Sequence, residues 1–196
     1  MDCIEGLKQI PDKSVNMYFV DLPYGVTTKN KWDNIIPPEP MWEQIERTLE
    51  DNGVVLFFGQ DKFTAKMMLS NEKMHKYNII WEKVRKDGGP DGRGVGFYFR
   101  NVTEILLFGV KGDNFRTLAP ARSQVNLIRT QKREHSRKPD EIIPIIESCS
   151  PGPFLELFAR GNREGWDMWG NQATADYEPT WSTYSNHTVS EERKNV

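Results

Sequence analysis

Residues 15–24 read Val-Asn-Met-Tyr-Phe-Val-Asp-Leu-Pro-Tyr, an apolar run that breaks at Asp21 and is stiffened by Pro23. A short run rich in β-branched and aromatic residues, closed by a turn signal, is the pattern of a buried strand. Downstream, residues 41–49 carry Met41, Ile45 and Leu49 at helical spacing, with Trp42 beside the same face, and Asp51-Asn52-Gly53 reads as a turn. Residues 54–58 (VVLFF) predict a second strand ended by Gly59, and 62–69 a helix. Residues 77–81 (YNIIW) and 103–110 (TEILLFGV) predict two more strands. Residues 139–146 (PDEIIPII) predict a helix with Pro139 in its first turn and a kink at Pro144. Residues 154–158 (FLELF) read as a strand and 165–169 as a short aromatic one. Strands alternating with helices predict an α/β sheet with helices on its faces. In such sheets ligands gather beyond the carboxyl ends of the strands, which singles out Asp21, Gly59 and Arg160.

Two segments stand outside this alternation. Residues 26–40 are polar and punctuated by prolines, and residues 83–100 hold five glycines, five basic residues and three consecutive aromatics. Loops of that length inside a compact domain are usually functional or disordered. The 196 residues, 37% of them hydrophobic, suffice for one compact domain with a real core, but not for a large separate recognition domain as well. The expected division is a single domain over residues 1–183 and a frayed tail over 184–196. No run approaches the ~20 apolar residues that span a bilayer, and the first residues lack the apolar stretch of a signal peptide. Cys3 and Cys149 form no disulfide framework and no zinc spacing, so two reduced thiols and no metal are expected, in a cytoplasmic setting.

The net charge of -2 does not announce a nucleic-acid binder. Between residues 122 and 138, however, Arg122, Arg129, Lys132, Arg133, Arg137 and Lys138 face only Glu134. Such a stretch either neutralises phosphates or is a solvated loop.

The tetrapeptide Asp21-Leu22-Pro23-Tyr24 carries a specific chemical suggestion. The lone pair of an amino group on an aromatic base is conjugated into the ring, which makes it a poor nucleophile. Hydrogen-bond acceptors on both N–H groups favour a more pyramidal nitrogen aimed at a methyl donor. Asp21 can accept one such bond and the carbonyl of Leu22 or Pro23 the other. Tyr24 can stack on the base, which must leave its helix to enter such a pocket.

This motif is similar to the DPPY/DPPW motif of amino-group methyltransferases. The flanking MDCIEGLKQIPDKSVNMYFVDLPYG, then Trp32-Asp33 and DNGVVLFFGQDKF, resemble bacterial and phage N6-adenine DNA methyltransferases. RNVTEILLFGVKG, REHSRKPDEIIPIIESCSPGPFLELFAR and GWDMWGNQ resemble the eukaryotic mRNA N6-adenosine methyltransferase family and its prokaryotic relatives. The resemblance covers roughly residues 1–175. It implies a Rossmann-like class I methyltransferase fold, with a mixed sheet of about seven strands and helices on both faces. The catalytic motif precedes the main cofactor strand, the circularly permuted order of the β class.

The resemblance also implies roles. S-adenosylmethionine is the expected cofactor, contacted by Asp2, the main chain of Cys3, and Asp21. Lys138, in His135-Ser136-Arg137-Lys138-Pro139-Asp140 at a helix start, would pair with its carboxylate. Arg160 falls near the cofactor ribose, and Asn171 and Gln172 match residues binding its ribose and adenine. Glu156, inside a strand, needs a partner and either supports the site or faces the cofactor. Trp166 and Trp169 are expected in the core. Lys29, Lys31, Arg85, Lys86, Arg93 and Arg133 are candidates for nucleic-acid phosphates. His135 is a candidate for a structural or substrate-side hydrogen bond. Phe97, Tyr98 and Phe99 are either core or fillers of the gap left by a flipped base. Position 22 departs from the commonest motif, with leucine in place of a first proline.

The function expected is methyl transfer to the N6 amino group of adenine in DNA, in a phage or a restriction–modification system. The alternatives are an RNA N6-adenosine methyltransferase and a non-catalytic nucleic-acid-binding subunit of a methyltransferase complex. The lack of a large recognition domain makes a homodimer or heteromer the expected assembly.

Overall fold

The computed structural model describes residues 3–24, 35–92, 99–112, 124–131, 138, 141–159 and 163–169. Its elements in chain order are α1 (Cys3–Leu7), β1 (Val15–Val20), α2 (Pro38–Thr48), β2 (Leu49–Gly59), α3 (Asp61–Ser70), β3 (His75–Val84), β4 (Thr103–Val110), β5 (Leu127–Gln131), α4 (Ile142–Glu147), β6 (Phe154–Leu157) and β7 (Trp166–Trp169). The strands form one seven-stranded mixed sheet in the order β5-β3-β4-β2-β1-β6-β7. All neighbours pair in parallel except β4, which runs antiparallel to both β2 and β3. The alternation implied an α/β sheet, and the family resemblance implied this Rossmann-like, seven-stranded mixed form of it.

β1 is the pivot of the sheet. The chain leaves it towards β2 on one side and returns to it as β6 on the other. Strand order therefore reverses at β1, and the crevice beyond its carboxyl end is the place where such sheets bind ligands. Its side chains alternate between two cores. Tyr18 and Val20 join α1, α2 and α3 on one face, with Leu7, Met41, Ile45 and Met67. Met17 and Phe19 join α4 on the other, with Ile142, Ile143 and Ile146. β2 is divided in the same way, Val55 and Phe57 against Val54, Leu56 and Phe58. A strand covered on both faces shows no polar alternation, which is why VNMYFV and VVLFF are continuous apolar runs. Phe19 and Phe58 meet edge to face at 5.1 Å across adjacent strands.

The structure corrects several expectations. Asp51-Asn52-Gly53 lies within β2 rather than in a turn between α2 and a strand. The irregularity shows as a register shift opposite Val15 and Met17, with Asn52 at φ 65. Asn tolerates that left-handed conformation better than most residues, and Asn52 N donates to Lys111 O, so the bulge keeps its backbone paired. Pro144 produces no kink. α4 starts at Ile142, so the proline falls in the first turn, where no backbone N–H is needed. Pro139 and Asp140 lie outside the described residues. The basic stretch is not all loop: β5 runs through it, with Ile128 and Thr130 buried and Leu127, Arg129 and Gln131 exposed. Lys83 and Val84 end β3, so the glycine-rich segment starts after them. Residues 38–40, assigned by sequence to a loop, open α2, whose first residue is Pro38. The segment following Asp2 is a short helix. Both cysteines are buried thiols outside any disulfide, and burial pushes the Cys149 thiol up to about 11. No helix among the described residues is long and apolar enough to cross a membrane. The tail over 184–196 is outside the described residues.

Candidate active site

Asp21 follows the last residue of β1, and its backbone N–H donates to Leu157 O at 3.4 Å, tying the strand ends of β1 and β6 together. Its side chain is held from two sides. Tyr24 Oη donates to Oδ1 at 3.1 Å, and Lys138 Nζ stands 3.3 Å from Oδ2. Tyr24 packs on Phe63 of α3 at 4.9 Å between ring centres, which fixes the hydroxyl that orients the carboxylate. Leu22 turns inward and is buried in the core beneath the motif. An apolar side chain at this position anchors the turn, an anchoring that proline would supply through its ring.

Lys138 joins the motif to β4. Its Nζ pairs with Glu104 Oε2 at 2.9 Å as well as with Asp21. The same ammonium lies 3.7 Å from the centre of the Phe58 ring and 5.7 Å from that of Trp81. Glu104 Oε1 accepts from Lys83 Nζ at the end of β3, and that ammonium sits 4.8 Å over Trp81. Trp81 Nε1 in turn donates to Thr130 Oγ1 of β5 at 2.8 Å. Two carboxylates and two ammoniums thus alternate across a largely buried strip, each with an opposite charge in contact. That is the condition under which charges survive desolvation. Burial opposes ionisation of Glu104, but Lys138 and Lys83 outweigh it and hold the carboxyl below its ordinary value.

The antiparallel course of β4 makes this arrangement possible. Glu104 is near its amino end, so it arrives at the sheet edge where β1, β2 and β3 finish. On the other side of Asp21, Glu156 of β6 is buried and paired with Arg163 at 2.7 Å, the partner its place in a strand required. Burial still pushes its carboxyl upward, reinforced by the nearby negative charge of Asp21 and opposed by Arg163. Arg163 lies 5.0 Å over the Trp166 ring. Trp166 is buried, as expected, while Trp169 is half-buried against Phe158.

Of the sequence candidates, the structure brings together Asp21, Tyr24 and Lys138. Cys3 is buried in α1. Lys138 lies ahead of α4 and engages carboxylates, so side-chain pairing rather than the end of a six-residue helix gives it its place. Arg85 pairs with Asp87 at 3.1 Å on an exposed turn beyond β3, and Lys86 is exposed beside it. Neither joins the Asp21 cluster. Phe99 is not part of the core: it is exposed. Asp2, Lys29, Lys31, Arg93, Phe97, Tyr98, Arg133, His135, Arg160, Asn171 and Gln172 lie outside the described residues. Sequence reasoning missed Glu104, Lys83, Phe58 and Trp81. The available signal was a charge at the edge of an otherwise apolar strand, Glu104 in TEILLFGV and Lys83 after YNIIWE.

Residues 44–172 match the family model described as MT-A70. The chain belongs to the MT-A70 family. Among its relatives is an MT-A70-like protein of Medicago truncatula named as an N6-adenosine-methyltransferase. It is 28% identical over 163 residues, covering 78% of this chain and 24% of that protein. A counterpart from Oryza sativa subsp. japonica is 37% identical over 98 residues, 48% of this chain and 14% of that protein. The type II methyltransferase M.MunI of a Mycoplasma species is 34% identical over 93 residues, 47% of this chain and 36% of that protein. The chain thus spans between about a seventh and about a third of the length of these relatives. Methyltransferases of the MT-A70 family use S-adenosylmethionine, and the family acts on the N6 position of adenine.

The described donor set suits this cofactor. S-adenosylmethionine carries a carboxylate, an ammonium and a sulfonium. Around the end of β1 stand the Lys138 ammonium for the first and the Asp21 and Glu104 carboxylates for the second.

Proposed function

We propose that this MT-A70 chain transfers a methyl group from S-adenosylmethionine to the N6 amino group of adenine in DNA. The observation that carries the reading is the two-sided grip on Asp21 at the end of the pivot strand. When bound, the cofactor supplies an electrophilic methyl on its sulfonium; everything else falls to the chain. Each carboxylate oxygen has two acceptor sites. Asp21 can therefore keep Tyr24 and Lys138 and still accept a hydrogen bond from N6–H. The carbonyl of Leu22 or Pro23 accepts from the other N6–H, and the two bonds aim the nitrogen lone pair. Lys138 pairs with Asp21 and offers its ammonium to the cofactor carboxylate. Asp2, Cys3, Arg160, Asn171 and Gln172 complete the cofactor contacts in this reading, and Lys29, Lys31, Arg85, Lys86, Arg93 and Arg133 hold the phosphate backbone. A second subunit of the same or another chain would contribute to base readout in this reading.

The likeness to a bacterial type II methyltransferase over almost half the chain favours DNA. The likeness to plant proteins named for N6-adenosine supports the second reading, RNA. The test is incubation with methyl-labelled S-adenosylmethionine and matched duplex DNA, single-stranded DNA or RNA, followed by digestion to nucleosides. Labelled N6-methyldeoxyadenosine, lost with Asp21→Ala, supports the DNA reading. Label in RNA alone moves the substrate to RNA. Cofactor binding without label in any nucleic acid points to a scaffold subunit.

A further inference from the structure

A cavity of about 450 Å³ opens beside the carboxyl end of β2, lined by Gln60, Asp61, Phe99, Arg100, Asn101 and Glu104 among others. Its size is that of a small-molecule site. Glu104 belongs both to its wall and to the ion network, so the Lys138 ammonium links the cavity wall to Asp21. On its rim Phe99 is 93% exposed, the most exposed of the large apolar side chains among the described residues. A ring kept in water forgoes the burial that makes aromatic residues stabilising, and a planar π-face laid on it would recover that burial.

The polar groups of the lining are of the kinds that read a nucleotide. Asn101 commits its Oδ1 to Thr103 N at 3.0 Å, which leaves the Nδ2 donors for a ligand. Gln60 precedes α3 without capping it through its side chain, so its amide offers both a donor and an acceptor. Asp61 can accept from an exocyclic amino group, and Arg100 is exposed beside Phe99, where a phosphate would meet it. One stacking ring, two amides and an arginine next to a methyl-transfer site suit a base and its phosphate. A protein partner would need about 1,000 Å² of complementary surface, whereas Phe99 is followed directly by Arg100 and Asn101.

We propose that this cavity is a subsite for the nucleotide adjacent to the target adenine. Its base stacks on Phe99, its edge meets Gln60 and Asn101, and its phosphate meets Arg100. The proposal rests on the reading of the chain as a nucleic-acid methyltransferase. It makes Phe99 a determinant of sequence context at a position the Asp21 motif does not touch.

The test is a cycle between protein and substrate. Fluorescein-labelled DNA and RNA oligonucleotides carry one adenine, flanked either by intact nucleotides or by an abasic nucleotide on its 5′ or its 3′ side. Their binding to the wild-type chain, Phe99→Ala and Phe99→Trp is measured by anisotropy, and methylation of the same oligonucleotides is followed with labelled cofactor. Stacking of one base is worth about tenfold in affinity. Phe99→Ala should lose about that factor on intact substrate and nothing more on one of the two abasic substrates. Phe99→Trp should restore the affinity, and S-adenosylmethionine affinity should not change. Equal binding by Phe99→Ala and wild type, or an equal loss on intact and both abasic substrates, overturns the subsite. So does a change in sedimentation of Phe99→Ala with nucleic-acid binding intact, which would make the ring a protein contact. If the cycle shows the coupling but no adenine is methylated, the subsite stands and the catalytic reading falls. If methylation proceeds and the cycle shows no coupling, the subsite alone falls. If the wild-type chain binds no nucleic acid, both fall.

Discussion

Lys138 Nζ stands 3.3 Å from Asp21 Oδ2, and the two side chains are 15% exposed each, so the ammonium that reaches the motif is as shielded as the carboxylate it meets. Replacing Lys138 with methionine keeps the apolar stem over Phe58 but leaves Asp21 and Glu104 facing each other without a cation between them. Removing one partner of a buried pair costs about 3 kcal/mol. Lys138→Met should therefore show a clearly lower denaturation midpoint together with loss of cofactor binding by calorimetry. A variant as stable as wild type would mean that the pair contributes no net stability.

Asp21→Ala is expected to behave differently. Lys138 keeps Glu104, and the alanine leaves no buried charge behind. Stability should change by less than in Lys138→Met, while methyl transfer falls by about a hundredfold or more, the scale seen when a group acting on the reacting atom is removed. Full unfolding of Asp21→Ala would show that the carboxylate is structural first.

Tyr24→Phe isolates the orienting hydroxyl. The ring contact with Phe63 is retained and only the 3.1 Å bond to Asp21 is lost. One hydrogen bond to a charged group is worth about 2 kcal/mol. If its role is orientation, the loss should fall on kcat rather than on the affinity for cofactor, whereas Tyr24→Ala should also raise KM for nucleic acid. Steady-state kinetics with both substrates varied separates the two.

The pH dependence of stability follows from Glu104. Its folded-state pKa is lowered, so the unfolded chain binds its proton more readily, and the stabilisation is fully present above the ordinary glutamate value. It is lost as pH falls through the lowered folded value. Denaturant titrations should show the wild type losing stability in the acid range beneath the ordinary carboxylate pKa. Glu104→Gln should start lower at neutral pH and lack that acid limb. Parallel curves for the two proteins would contradict the assignment.

Gly59 closes β2 immediately before α3, and a Cβ there would lie 2.7 Å from Thr64 Oγ1, a buried hydroxyl with no hydrogen-bond partner among the described residues. Gly59→Ala must push the first turn of α3 away from the sheet, a strain of about 1–3 kcal/mol. Thermal unfolding of Gly59→Ala beside Gly59→Ala/Thr64→Ala tests this, because removing the hydroxyl should return part of the loss.

The sequence showed the fold most clearly where burial is two-sided. Residues 15–20 and 103–110 were legible to the residue because continuous apolar runs between turn signals have few other readings. β5 was not legible. As an edge strand with one covered face, it needs only Ile128 and Thr130 inside, and its exposed arginine and glutamine read as loop. Five-residue α1 offered too short a period to detect, and in β2 the Asp-Asn-Gly triplet gave a true local signal, a positive φ, that the strand absorbed as a bulge. In the site, Asp21 and Tyr24 were legible because the motif is contiguous. Glu104 and Lys83 were not, since only the reversal of β4 and the end of β3 bring them to the pivot strand, and no spacing along the chain records that meeting.

Trp81 has a consequence of a different kind. Its indole sits under the ammonium of Lys83 and within reach of that of Lys138, with Phe58 edge-on at 6.1 Å. Indole emission is sensitive to nearby positive charge. Any ligand that draws Lys138 towards its own carboxylate will alter that charge, and the change will appear as a shift in tryptophan fluorescence. If the cofactor engages Lys138 as proposed, Trp81 would serve as an optical gauge of its occupancy, read against a variant in which Trp81 is replaced by phenylalanine.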